Sequence, residues 1–112
     1  MATVTTPWTG KQLIGDQWCE QPRDDWFESV NPARVDEVVG RYPRGTEEDV
    51  DRAVGAARQA YPSWRRTSRI GRGDYFDRLA QLIQRDVDSL ATVMARESGK
   101  LLDEARAEVI EG

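Results

Sequence analysis

The spacing of apolar residues changes near residue 45, and that change separates two kinds of structure. Before it, apolar residues come in short runs broken by turn formers. Lys11-Gln12-Leu13-Ile14, Gly15-Asp16 and Gln17-Trp18-Cys19 form two short runs around a Gly-containing dipeptide, which predicts a tight hairpin. Trp26-Phe27-Glu28-Ser29-Val30 is rich in residues that suit a pleated surface. Asn31-Pro32-Ala33 interrupts it, because Pro32 fixes its own φ and biases Asn31 toward extended backbone. A further strand, Glu37-Val38-Val39-Gly40-Arg41-Tyr42, closes at Pro43. Met1 to Thr9 reads as a loosely held terminal arm, and Gln21-Pro22-Arg23-Asp24-Asp25 as a polar connector.

From Thr46 the period becomes helical. Thr46-Glu47-Glu48-Asp49 resembles a capping box, with Asp49 as a weaker version of the usual Glu. Val50, Ala53, Val54, Ala57 and Tyr61 form one apolar stripe, whose small alanines allow close approach of a neighbour. Pro62 is expected to end this helix, with Trp64 beyond it placed to fold back as a plug. Phe76, Leu79, Ile83, Val87, Leu90 and Met94 then recur at spacings of 3, 4, 4, 3 and 4. They predict one helix from Ser68 or Gly73 to about Glu97, with Gly99 as a left-handed C-cap. Leu102, Ala105 and Val109 begin a third helical pattern. The chain is therefore expected to be α+β: an N-terminal hairpin and short strands, followed by two to three helices.

Composition narrows the chemistry. A length of 112 residues fits one domain on the usual scale of roughly 100–200 residues. With 38% hydrophobic residues, low-hydrophobicity disorder is not expected. No apolar run reaches the roughly 18–20 residues that span a bilayer, and no secretory signal pattern is visible. There is no histidine, so imidazole catalysis and His-based zinc sites are excluded within these residues. A single cysteine permits no internal disulfide. A net charge of −4 argues against a dedicated nucleic-acid binder.

The remaining candidates each have a plainer reading. Cys19 lies on a predicted strand beside Trp18 and Glu20, without an imidazole to activate it, and is read as structural. Ser98-Gly99-Lys100 lacks the order and the hydroxyl of a phosphate loop, and is read as a helix end. Arg65, Arg66, Arg69 and Arg72 beside Trp64 are read as an interhelical link balanced by Asp74 and Asp77. Arg72-Gly73-Asp74 is a chance tripeptide at a helix start. Glu97, Asp103, Glu104, Glu108 and Glu111 crowd the last segment, with Glu104, Glu108 and Glu111 on one solvated helical face. No catalytic constellation emerges.

In series, these segments resemble aldehyde dehydrogenases. Leu13-Ile14-Gly15-Asp16-Gln17-Trp18 resembles the first hairpin of that family. Val30-Asn31-Pro32-Ala33 with Glu37-Val38-Val39-Gly40 resembles its Val-Asn-Pro-Ala-Thr-Gly-Glu-Val-Ile-Gly segment. Thr46 to Ala57 with Ala60-Tyr61-Pro62-Ser63-Trp64 resembles its first helix, and Arg72, Leu79, Ala80, Leu82 and Ile83 its second. Glu97-Ser98-Gly99-Lys100 followed by Asp103-Glu104-Ala105 resembles its Glu-Thr-Gly-Lys-Pro segment and the acidic helix after it. The likeness runs from about residue 11 to the end. Two departures stand out. Arg34-Val35-Asp36 is one residue longer than the usual turn and lacks its glycine, so that turn is expected to be rebuilt. Leu101 stands where proline is common.

The resemblance implies an α/β parent fold with a Rossmann-like cofactor domain, and NAD(P)-dependent oxidation of aldehydes to acids through a cysteine thiohemiacetal. Residues 1–10 are then an arm and 11–112 the N-terminal part of the NAD(P)-binding domain. The family's nucleophile, glutamate base, oxyanion asparagine and nucleotide-contacting strands would all follow Gly112, and Cys19 does not align with the nucleophile. No catalytic, cofactor-binding or metal-binding residue is therefore assigned. That includes the monovalent cation some members hold near the positions of Val30 and Glu97. NAD or NADP is expected for the parent and none for these residues alone. The expected partners are the rest of the subunit and further copies in a dimer or tetramer, in the cytoplasm, with no nucleic acid and no membrane. The alternative is a stand-alone, non-catalytic helical interaction module derived from the same fold. A stop codon directly after Gly112 would favour the module.

Overall fold

The computed structural model describes residues 6–19 and 25–112. Residues 1–5 of the expected arm and residues 20–24, with most of the expected connector, lie outside the described residues. The described elements are β1 (Trp8–Thr9), β2 (Gln12–Ile14), β3 (Gln17–Cys19), β4 (Trp26–Asn31), β5 (Arg34–Pro43), α1 (Glu47–Trp64), α2 (Arg69–Arg85), α3 (Val87–Ser98) and α4 (Leu102–Glu111). The α+β expectation holds. Strands β1, β5 and β4 form one sheet in that order, with β1 parallel to β5, and β2 pairs with β3 in a second. The chain divides into two compact units. One holds the residues up to Glu28 with Gly40–Thr67, and the other holds Ser29–Val39 with Ser68–Gly112.

In the first unit the predicted hairpin forms, with Gln12 opposite Cys19 and Ile14 opposite Gln17. Gly15 has φ +66°, and among the described residues no non-glycine residue, Asp16 included, has positive φ, which is the sign pattern of a type II′ turn. The turn comes close to α1: a Cβ on Gly15 would lie 3.7 Å from that of Ala56. The expected loose arm is held at its end, since Trp8 and Thr9 pair with Gly40 and Arg41. Tyr42 explains why the crossing needs glycine. Its ring lies so close to Gly10 that a Cβ there would overlap it.

Helix α1 begins as its sequence predicts. Thr46 Oγ1 accepts from the Asp49 backbone N–H at 3.3 Å, and Asp49 Oδ2 accepts from the Thr46 N–H at 2.9 Å. Both limbs of the capping box are present despite the shorter side chain. Asp49 is only 3% exposed, and its other oxygen accepts from Arg52 at 2.7 Å. The end differs from expectation: Pro62 sits inside the helix, which continues to Trp64. The last turn tightens beyond it, with Arg66 and Thr67 donating to the carbonyls three residues back. Trp64 is 41% exposed and is not a plug.

The second unit corrects the main helical prediction. The stripe from Phe76 to Met94 is carried by two helices, α2 and α3, broken at Asp86. Asp86 takes φ −107° and ψ 14°, outside the helical well, and its N–H is shared between the carbonyls of Leu82 and Ile83. Arg85 grips the Asp86 carboxylate through both Nε and Nη2, at 2.9 and 2.7 Å. The Asp86 carboxylate caps neither helix, and Ser89 Oγ donates to the Asp86 carbonyl at 2.9 Å on the α3 side of the break. At its start α2 is capped by Ser68, whose Oγ accepts from Gly71 N at 3.0 Å.

Helices α3 and α4 form the core of this unit. Val87, Ala91, Ala105 and Val109 are buried together, flanked by Ile83, Met94 and Ala95. Ala91 and Ala105 are fully buried, so two small side chains let the helix backbones approach closely. Arg106 of α4 bonds Asp88 of α3 at 2.8 Å. Gly99 ends α3 at φ +73°, as predicted, with its N–H donating to Ala95 O at 2.8 Å. A Cβ at Gly99 would lie 2.8 Å from Pro32 Cγ. Pro32 and Ala33 make the tight turn between β4 and β5. The rebuilt turn expected at Arg34-Val35-Asp36 is therefore absent, and those residues begin β5.

Two substitutions test these local constraints by urea unfolding. Gly99→Ala should cost at least about 1 kcal/mol, from positive φ and from overlap with Pro32. Asp49→Ala should cost about 1–2 kcal/mol by removing the cap of α1.

Candidate functional site

The second unit gathers its polar side chains where the β4–β5 turn meets the last turn of α3. Asn31 stands at the end of β4, and its Oδ1 accepts from the Ala33 N–H at 2.9 Å, an Asx turn that shapes the Pro32-Ala33 corner. Its Nδ2 donates to Glu37 Oε2 at 3.0 Å. Arg96 Nε donates to the other oxygen, Glu37 Oε1, at 2.7 Å. Both members of this ion pair are largely sheltered, with side chains 16% and 24% exposed, so it is screened less than a surface pair. Arg34 lies 4.0 Å from the same carboxylate. Hydrogen bonds from Asn31 and then Arg96 hold the Glu37 carboxyl below its ordinary range, against a smaller desolvation effect. Beside this group, Ser29 Oγ donates to Glu97 Oε1 at 3.5 Å.

This cluster can fix a strand turn onto a helix end, but it does not assemble a reaction centre. Its carboxylate is already bonded by Asn31 and Arg96. One polar atom, Arg96 Nη2, is buried without a partner among the described residues. No group of three or more Cys, Asp or Glu side chains among the described residues is arranged to hold a metal ion. The sequence did not single out this cluster. Glu37 and Arg96 are 59 residues apart, and nothing local links a strand glutamate to a helix arginine.

The candidates read from the sequence fall elsewhere or have plain roles. Cys19 ends β3, partly buried, with its thiol 3.8 Å from the Gln17 carbonyl. Ser98 Oγ donates to Met94 O at 2.7 Å, so Ser98-Gly99-Lys100 presents a helix C-terminus where a phosphate loop would present N–H groups. Glu104, Glu108 and Glu111 are all exposed, as expected of a solvated face, and Lys100 pairs with Glu108 there. The predicted balance of Arg69 and Arg72 by Asp74 and Asp77 does not form as ion pairs within α2. The pairs Arg69–Asp74 and Arg72–Asp77 are five residues apart and do not share a helical face. Arg65 instead places its guanidinium 5.9 Å from the Tyr61 ring centre.

The first unit carries an open groove of about 460 Å³ lined by Thr9, Trp26, Glu28 and Arg41. Its charged residues neutralise one another, with Arg41 Nε 2.8 Å from Glu28 Oε1. Phe27 stacks on Tyr42 at 5.6 Å between ring centres, with the Arg44 guanidinium over Phe27. Arg44 also pairs with Asp25.

Comparison with known proteins identifies the lineage. The model of the aldehyde dehydrogenase family matches residues 18–112. Alpha-ketoglutaric semialdehyde dehydrogenase of Bacillus subtilis (strain 168) is 34% identical over all of this chain and 23% of its own length. The 1-pyrroline-5-carboxylate dehydrogenase of Staphylococcus haemolyticus is 38% identical over 80% of this chain and 18% of its own. Among solved structures, the NAD-dependent aldehyde dehydrogenase from Sinorhizobium meliloti superposes with a TM-score of 0.89 at 28% identity, covering 96% of this chain and 22% of that one. Lactaldehyde dehydrogenase from Escherichia coli gives 0.88 at 29% identity, over 93% and 22%. The chain spans about a fifth of the length of the curated relatives it matches.

The sheltered ion pair predicts an acid-dependent stability. Because Glu37 is held below the ordinary glutamate value of 4.5, its contribution is present above that pH and is lost as pH falls through the lower folded-state value. Thermal melts from pH 7 to pH 3 should show a Glu37→Gln variant less stable at neutral pH. The gap should narrow below pH 4.5. A constant gap would show that Glu37 does not titrate in the folded state as described.

Proposed function

The chain belongs to the aldehyde dehydrogenase family, and from that premise we propose that it is the N-terminal part of the cofactor-binding region of an NAD(P)-dependent subunit. That subunit oxidises an aldehyde to a carboxylic acid. The reading is carried by the family match over residues 18–112 together with the small share of each relative that the chain spans. The exposed apolar stripe of α2 supports it. Phe76 is 66% exposed and Leu79 50%, although they lie on the most regular apolar stripe in the sequence, and Leu82 beside that stripe is 46% exposed. A stripe of that regularity is the signature of a helix face that packs on another element. The rest of the subunit is the natural partner for it, and further copies of the subunit complete a dimer or tetramer.

In this reading the described residues support rather than react. The capped start of α1, the α3–α4 core and the Glu37–Arg96 pair position helices against a cofactor-binding sheet contributed by the rest of the subunit. The nucleophile, the base and the contacts that choose NAD or NADP belong to that remainder. Among the described residues no helix is long and apolar enough to cross a membrane.

Two measurements test the proposal. The 112-residue chain should show no shift in melting temperature with millimolar NAD, whereas binding to the folded state would raise it by mass action. A protein carrying this chain at the start of a complete family-length subunit should reduce NAD or NADP in the presence of an aldehyde. Its Cys19→Ser variant should keep kcat/KM within about twofold. Absence of aldehyde-dependent reduction would refute the enzymatic reading, and a loss of several orders of magnitude would place the nucleophile at Cys19.

A further inference from the structure

We draw no further inference here: the strongest candidate, the buried and unpartnered Nη2 of Arg96 at the end of α3, is one nitrogen of the cluster already described, and nothing in the structure shows what ligand would meet it.

Discussion

At Gly99 one missing Cβ serves two requirements. The left-handed backbone there stops α3, and the open space beside it admits the Pro32 ring. Any L side chain meets both obstacles, since it disfavours positive φ and would contact Pro32 Cγ at 2.8 Å. Once α3 stops at this point, the chain reverses and α4 returns along α3, burying Ala105 and Val109 against Val87 and Ala91. The second unit therefore depends on this junction for its core and for its contact with the strand turn.

The Glu37–Arg96 pair reinforces the same junction by a different force. Arg96 lies three residues before Gly99, and Glu37 lies just past the turn that Pro32 occupies. Packing sets the approach of turn and helix end, and the ion pair with its Asn31 hydrogen bond fixes their register. A sheltered pair gains more from its partner than a surface pair, and it also loses more when one member is removed. The exposed pairs Arg41–Glu28 and Arg44–Asp25 in the first unit are of the weaker kind.

Family membership was legible in the sequence because it rests on several short motifs in fixed order, each carrying a local structural duty. Gly15 turns the hairpin, Thr46 and Asp49 cap α1, and Gly99 ends α3. The polar cluster was not legible. Its members come from β4, β5 and α3, and only the folded chain brings Glu37 to Arg96. The break at Asp86 was missed for a related reason: an apolar stripe keeps its period across a kink, so spacing alone joins two helices into one.

By itself the sequence determined the caps, the turns, the change from strand to helix near residue 45, and the family. Each of these depends on residues within a few positions of one another, whose φ preferences and hydrogen-bonding reach are set by covalent structure. The tertiary structure decided which apolar residues are buried. Ala91 and Ala105 are fully covered while Phe76 and Leu79 face solvent, although all four sit in helical patterns. Burial is a property of what lies opposite a face, and the cluster of Val87, Ala91, Ala105 and Val109 is covered because α3 and α4 face each other closely.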